Sequence, residues 1–554
     1  MRFNRLIEEA FRSAGFILLE GTDRELRAEK GILGVPPALL RRLAEEGFRR
    51  LAFYMRRSHL ELLAGVRADP GASANDRLVA GTLLENAAAA ARGEFALCQD
   101  TGTAAVYGWK DEGVRTGADD GAELSLGIAA AYRNNFLRAS QTAPASFFDE
   151  AGTGNNLPAQ IRLEASGPGN DPAYRFLLIA KGAGSSNKTA YFSMTKALLE
   201  EKAFERFLEE RIRALGTAAC PPYRLAVVVG GSSPEHNLEV LKLATAELLD
   251  AAPRIGAAPP GAVPEGGVLF RDPYWESRVM DMSRRTGLGA QFGGTSLALD
   301  ARVIRLSRHA GSCPVSIGVS CSAHRNLLAF IDARGLHLEK LEENPAAFLQ
   351  SRGAAPFGPP AGDAAPERVN LDRPMEEIRR NLSRFAPGDR LLLSGKLLTA
   401  RDAAHLNWRR LLAEGKPLPS YLFKHPVYYA GPSAAPPGRV TGSLGPTTAR
   451  RMDPYGGELM SRGASLVTLA KGDRSSAWIA ACKKYGGCYL GVVGGAAALQ
   501  AERNITASEI IDYPELGMEA VRLIEVRDLP AFVVTGVSGE DLYRRDAPDS
   551  GGGS

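Results

Sequence analysis

Apolar residues recur at three- and four-residue spacing over 39–53 and again over 78–91, the period of helices with one buried face. The pattern over 5–93 therefore predicts a helical layer. It changes at 95–108, where a short apolar piece runs into the polar loop Cys98-Gln-Asp-Thr-Gly and out into a strand. A helix is expected around 127–138, ending near Arg138. A strand at 177–180 then feeds the loop Lys181-Gly-Ala-Gly-Ser-Ser-Asn-Lys-Thr189, whose backbone amides can converge on an anion. That loop lacks the Gly-x4-Gly-Lys-Ser/Thr order of a nucleotide-binding P-loop. The continuous apolar run at 223–231 predicts a buried strand, with a helix at 237–249 behind it, and a second buried strand is expected at 315–319. Beyond a Pro-, Gly- and Ala-rich stretch come short strands at 390–394, 466–470, 488–493 and 531–535, with a helix at 400–412 between them. The alternation is that of an α/β protein.

At 554 residues the chain exceeds what one core usually organises. We expect an N-terminal α-rich domain at 1–345, a linker at 346–368, a second domain at 369–545 and a flexible Gly/Ser tail at 546–554. Hydrophobic residues at 45% and charged residues at 23% describe a folded globular chain. A net charge of +4, with basic residues scattered among acids, gives no footprint for nucleic acid. No apolar run is long enough for a membrane span, and the N-terminus lacks a secretory layout, so a cytoplasmic protein is expected.

Six cysteines are too few for a disulfide scaffold. Cys321, Cys482 and Cys488 read as small buried hydrophobes. Cys98, Cys220 and Cys313 sit in loops, the last two at strand entrances with proline next. Three thiolates without a fourth partner suit an iron-sulfur cluster with one iron open, whereas a structural zinc wants four ligands.

The motifs Cys98-Gln-Asp-Thr-Gly-Thr, Lys181-Gly-Ala-Gly-Ser-Ser-Asn-Lys-Thr, Ala219-Cys-Pro-Pro-Tyr, Ser312-Cys-Pro-Val, Lys424-His-Pro-Val-Tyr-Tyr-Ala-Gly-Pro, Gly445-Pro-Thr-Thr-Ala and Lys471-Gly-Asp-Arg-Ser make the chain resemble the class I, iron-sulfur fumarate hydratases of single-chain type. The resemblance runs to about Val534. It implies a 4Fe-4S cluster on Cys98, Cys220 and Cys313, a homodimer, and a C-terminal swivelling β/β/α-type domain that closes on the cluster domain. It implies a substrate set of Gln99, Asp100, Arg138, Gly184, Arg401, Thr448, Arg451 and Lys471, with Asp100 and Thr447 catalytic. Arginines suit such a set because guanidinium forks match carboxylates. His405 is a further candidate proton carrier, or else a helix histidine bonded to Asp402.

The implied reaction is reversible hydration of fumarate to (S)-malate, with a small dicarboxylate as the partner molecule. Mesaconate, tartrate or another hydroxy diacid is the alternative substrate, and a non-catalytic iron-sulfur sensor is the alternative class. The chain departs from the family's pattern at Ala183, Leu299, His324, Arg450 and Asp473, which bears on substrate preference.

Overall fold

Strand Thr103–Asp111 is apolar nearly throughout because it is covered on both faces. In the computed structural model, which describes residues 3–29, 31–167, 171–254, 269–353 and 365–544, it lies inside a six-stranded sheet. It pairs antiparallel with Tyr174–Lys181 and parallel with Gln160–Ser166. Helices Pro37–Phe53 and Asp120–Asn134 cover one face through Leu40, Leu43, Leu124 and Ile128. The other face packs through Tyr107 and Ile179 against helix Pro234–Thr245.

A second sheet, of five strands, is built on Tyr223–Gly231, all nine residues of which are buried. This strand runs parallel to Ala298–Arg308 and antiparallel to Cys313–Ser320. The third sheet has seven strands and belongs to the C-terminal part. Its long strand Val521–Thr535 pairs with Arg390–Thr399, Cys488–Gly491 and Ile505–Asp512.

The α/β class is what the structure has, with more strand in the N-terminal part than an α-rich domain implies. The expected helical layer is present as Phe3–Ser13, Pro37–Phe53, Arg57–Ala68 and Ala74–Ala90. Three-residue strands at Phe16–Leu18, Arg27–Glu29 and Ile32–Gly34 interrupt it. They are too short to show a period. The helix expected to end near Arg138 stops at Asn134, so Arg138 stands in a loop. Of the linker expected at 346–368, residues 354–364 lie outside the described residues. Its start belongs to helix Pro345–Ser351, capped by Asn344. The tail at 546–554 also lies outside them.

The two parts share one apolar cluster. Phe292 stacks on Phe532 with ring centroids 4.0 Å apart. Asn86 donates to the carbonyls of Leu97 and Gly495 and accepts from the Leu499 amide, which fixes the C-terminal loop 494–499 beside the Cys98 loop. Gln291 does the same between Pro221 and Gly494. No described helix is long and apolar enough to cross a membrane.

Candidate active site

Six segments meet where the sheets end. Cys98 and Asp100 precede strand Thr103–Asp111, and Gly182–Ser186 follows strand Tyr174–Lys181. Cys220 precedes strand Tyr223–Gly231, and Cys321–Arg325 follows strand Cys313–Ser320. Thr447–Arg451 and Lys471 come from the C-terminal part. Thr448 bridges Lys471 in parallel, with the Lys471 amide donating to Thr447 O at 3.1 Å and the Ala449 amide to Lys471 O at 2.9 Å.

Cys98 and Cys220 are buried here, and the thiol that joins them is Cys321, half-buried and not the core filler expected. The Ser322 amide donates to Cys220 O at 3.0 Å, which ties the two loops. Cys98, Cys220 and Cys321 act electrostatically on one another and share the charge of Lys471. Lys471 Nζ donates to Cys220 Sγ at 2.7 Å, and Arg325 faces Cys98 and Cys321. Burial pushes the Cys220 thiol up to about 12 against the pull of Lys471, and raises Cys98 likewise. Cys220 holds a left-handed backbone with φ of 61°, unusual for a residue with a side chain. Any side chain at Gly494 would collide with its sulfur.

Cys313, expected as the third ligand, is not brought to this place. It begins strand Cys313–Ser320 and is buried among Phe207, Val227, Val315 and Leu225. Eight extended residues carry it roughly 26 Å from Cys321. The sulfur of an eight-residue strand's first position cannot share a site with the residue just past its last. Cys482 and Cys488 are buried in apolar clusters, as expected.

Asp100 sits at the centre of the charge. Arg138 approaches its Oδ1 at 3.3 Å, and the Ala183 amide donates to its Oδ2 at 2.9 Å. The anion that the loop amides were expected to take is therefore, in part, this carboxylate. Gly182 has no room for a side chain beside Asp100 Oδ2, while Ala183 is exposed and tolerates one. Burial pushes Asp100 up, but Arg138, Arg325 and Lys471 together hold it below the ordinary carboxylate range.

Arg138, Arg401 and Arg451 approach one another from the two parts. Burial lowers Arg401 to about 10, with the neighbouring charges of Arg138 and Arg451 adding to the shift and Glu519, 3.2 Å away, opposing it. Arg138 Nη1, Arg325 Nε and Arg401 Nε are buried and donate to nothing. Buried guanidinium groups with idle donors are costly unless an anion completes them. Arg451 is more open and lies 3.6 Å from Asp402.

Gln99 is buried, donating to Pro446 O at 3.0 Å, and Gly184 packs against the backbone of Ala219. The Thr447 hydroxyl donates to Tyr429 O at 2.8 Å. His405 does not bond Asp402. It is buried, its ring nitrogen Nδ1 lies 2.8 Å from Arg401 O, and burial lowers it to about 4. It supports the backbone of Arg401 from below.

Cys321 and Arg325 are the residues that the sequence reading passed over. The signal available was the polar turn Cys321-Ser-Ala-His-Arg325 closing an apolar strand, the same loop setting that singled out Cys98. The departures resolve unevenly. Arg450, 63% exposed at its side chain, pairs with Asp473 at 3.2 Å, so two departures answer each other at the surface. Leu299 is buried in the shared apolar cluster.

Fold and site define an α/β enzyme whose two parts bring thiols, arginines and a lysine together. The chain belongs to the fumarate hydratase family: the family model described as "Fumarate hydratase (Fumerase)" matches residues 41–329, and that described as "Fumarase C-terminus" matches 335–546. It is 47% identical over 513 residues to "Fumarate hydratase 2" of Leishmania major, covering 93% of this chain and 88% of that protein. It is 46% identical over 514 residues to "Fumarate hydratase class I, aerobic" of Escherichia coli K12, covering 93% and 91%. A shorter similarity, 32% over 169 residues and 30% of this chain, is to a "Putative L(+)-tartrate dehydratase subunit beta" of Methanocaldococcus jannaschii, 87% of which is covered.

Proposed function

We propose that the chain is a hydro-lyase that interconverts fumarate and (S)-malate on a 4Fe-4S cluster held by Cys98, Cys220 and Cys321. One observation carries the reading: three thiols from separate loops lie close enough to act on one another and on Lys471, with Arg325 and Asp100 beside them. The donor set fits such a group. Soft sulfur ligands are what a cluster requires, and three of them leave one corner without a protein ligand. Among the described residues no three His, Cys, Asp or Glu side chains surround a single point as one metal ion needs. Thiols meant for separate corners of a larger group need no common point.

When bound, the cluster supplies a Lewis-acidic iron that turns hydroxide into a workable leaving group. The chain's own residues do the rest. Arg138 from the N-terminal part and Arg401 and Arg451 from the C-terminal part hold the two carboxylates, which fixes the carbon skeleton and excludes water from its ends. Arg325 and Lys471 offset the negative charge gathered by thiolates and dianion. Asp100, kept ionised by Arg138, Arg325 and Lys471, accepts the carbon-bound proton and, with its low proton affinity, returns it readily. Thr447 is the second candidate. Its hydroxyl must leave Tyr429 O before it can take part.

The same reading includes a division into 1–345 and 369–545 joined by 346–368, supported by two separate family matches that part at 329–335. It includes a homodimer, supported by Phe147 and Phe148, 93% and 90% exposed near the turn of a projecting hairpin, and a cytoplasmic setting. The test is a substrate panel. Anaerobically reconstituted protein is offered malate, tartrate and mesaconate while alkene absorbance is followed. Turnover of malate supports the assignment, and turnover of another acid without malate overturns it.

A further inference from the structure

The loop that carries Cys321 is held from beneath by two histidines that the reaction does not use. His59, on helix Arg57–Ala68, is fully buried, and its Nε2 lies 2.8 Å from the carbonyl oxygen of Ser322. A carbonyl only accepts, so Nε2 carries the proton. Nδ1 is then bare, and Arg224 Nε donates to it at 3.4 Å. The imidazole of His324 stacks on that of His59 with centroids 4.9 Å apart and planes 24° apart. His324 Nε2 meets Glu247 Oε1 at 2.7 Å, and Nδ1 meets Ser320 Oγ at 2.8 Å. Glu247 is fixed in turn by Arg56 at 3.0 Å and Arg224 at 2.5 Å, and Arg224 also by Asp300 at 2.9 Å. Both neighbours of Cys321, Ser320 and Ser322, are thus bonded to a histidine.

The backbone adds to this. The His324 amide donates to Cys321 O at 3.0 Å, closing a tight turn, and His324 takes a left-handed φ of 37°. Such a conformation persists only where the surroundings over-determine it. His324 stands where the family's pattern has aspartate, and it points toward Glu247 and away from the arginines of the cleft. Glu247 and Arg56 line a cavity of about 430 Å³ that shares no residue with those arginines.

We infer that His59 and His324 are positioning residues for Cys321: the stacked pair grips Ser320 and Ser322 and so fixes where the thiol points. The inference rests on Cys321 as a cluster ligand. It assigns His324 to the ligand loop and not to substrate choice. Residues that orient metal ligands typically alter affinity or activity about 10- to 100-fold when removed.

The test uses full-length protein reconstituted anaerobically, with four readouts: iron per chain, the electron paramagnetic resonance of the reduced cluster, its half-life in air, and kcat and KM for malate. His59→Ala and His324→Ala are expected to shift the resonance and shorten the half-life about tenfold or more, with kcat falling and KM held within about twofold because the carboxylate clamp is untouched. His59→Gln, whose amide reaches the place of Nε2, restores most of the wild-type resonance. Where His59→Ala fails to fold, Ser320→Ala, which removes one bond to His324, gives the same readouts. Wild-type resonance and half-life in these variants, beside a Cys321→Ser variant that has lost its iron, overturn the inference alone. A Cys321→Ser variant that keeps its iron overturns the ligand reading and the inference with it.

Discussion

The two ends of strand Cys313–Ser320 differ in a way that the residue names conceal. At its start Cys313 is buried in an apolar cluster with Phe207, Val227 and Val315, with Arg305 nearby. Just past its end Cys321 is set among Lys471, Arg325 and two further thiols. The same side chain is a core filler in one place and a candidate ligand in the other. What decides is the charge that other loops bring to it. A ligand thiolate gains from positive neighbours and from other thiols, and the end of the strand near Asp100 gathers Lys471, Arg325, Cys98 and Cys220, where the other end has Arg305.

The broadest way to break this contrast is to exchange the serines. Cys321→Ser is expected to abolish malate turnover in reconstituted protein, while Cys313→Ser keeps it within about twofold, since a serine off the site leaves transition-state contacts intact. The reverse result ends the assignment.

A second contrast lies under the arginines. His405 is neutral in the fold because burial lowers it from 6.5 to about 4, whereas in the unfolded chain it protonates in the ordinary range. The unfolded state therefore binds more protons between pH 6.5 and 4, and stability falls as pH drops through that window. We expect a loss of about 3 kcal/mol from this group across it. His405→Asn should flatten the acid limb of urea-derived stability. An unchanged slope would mean that the imidazole is not held neutral.

Removing one charge from the cleft tests its purpose. Arg401→Gln is expected to cost about 2 kcal/mol, near thirtyfold, in kcat/KM for malate, in line with hydrogen bonds to charged groups. Its melting temperature should hold or rise, because the lost guanidinium was repelled by Arg138 and Arg451. A drop in melting temperature with unchanged kinetics would make Arg401 a structural residue.

The smallest effect is at the apolar end. Cys313→Ser places a hydroxyl among hydrocarbon and should cost about 1–2 kcal/mol, and Cys313→Val well under that. Thermal unfolding of the two variants side by side reads the difference.

Much of this was legible in the chain. The apolar run 223–231 became a strand buried along its whole length, and the arginines implied by the resemblance, Arg138, Arg401 and Arg451, lie near enough to act on one another. The polar turn after Cys321 marked it as a loop candidate beside Cys313, but the choice between the two needed geometry. Both flank one strand, and only the register of that strand against Tyr223–Gly231 fixes which end faces Asp100. Arg325 was hidden for a similar reason, since an arginine acquires meaning from neighbours distant in sequence. The pairing of Arg450 with Asp473 likewise joins residues on separate loops. The strands at Phe16–Leu18 and Ile32–Gly34 escaped because three residues carry no period.

The most direct test is whether thiols and arginines serve one ligand. Malate is added to the reduced, reconstituted protein and the electron paramagnetic resonance is recorded. We expect malate to shift the spectrum of the wild type, and Arg401→Gln to need a much higher malate concentration for the same shift. A spectrum indifferent to malate at every concentration, in protein with full iron, would contradict a shared site and leave the thiols and the arginines as two unrelated features.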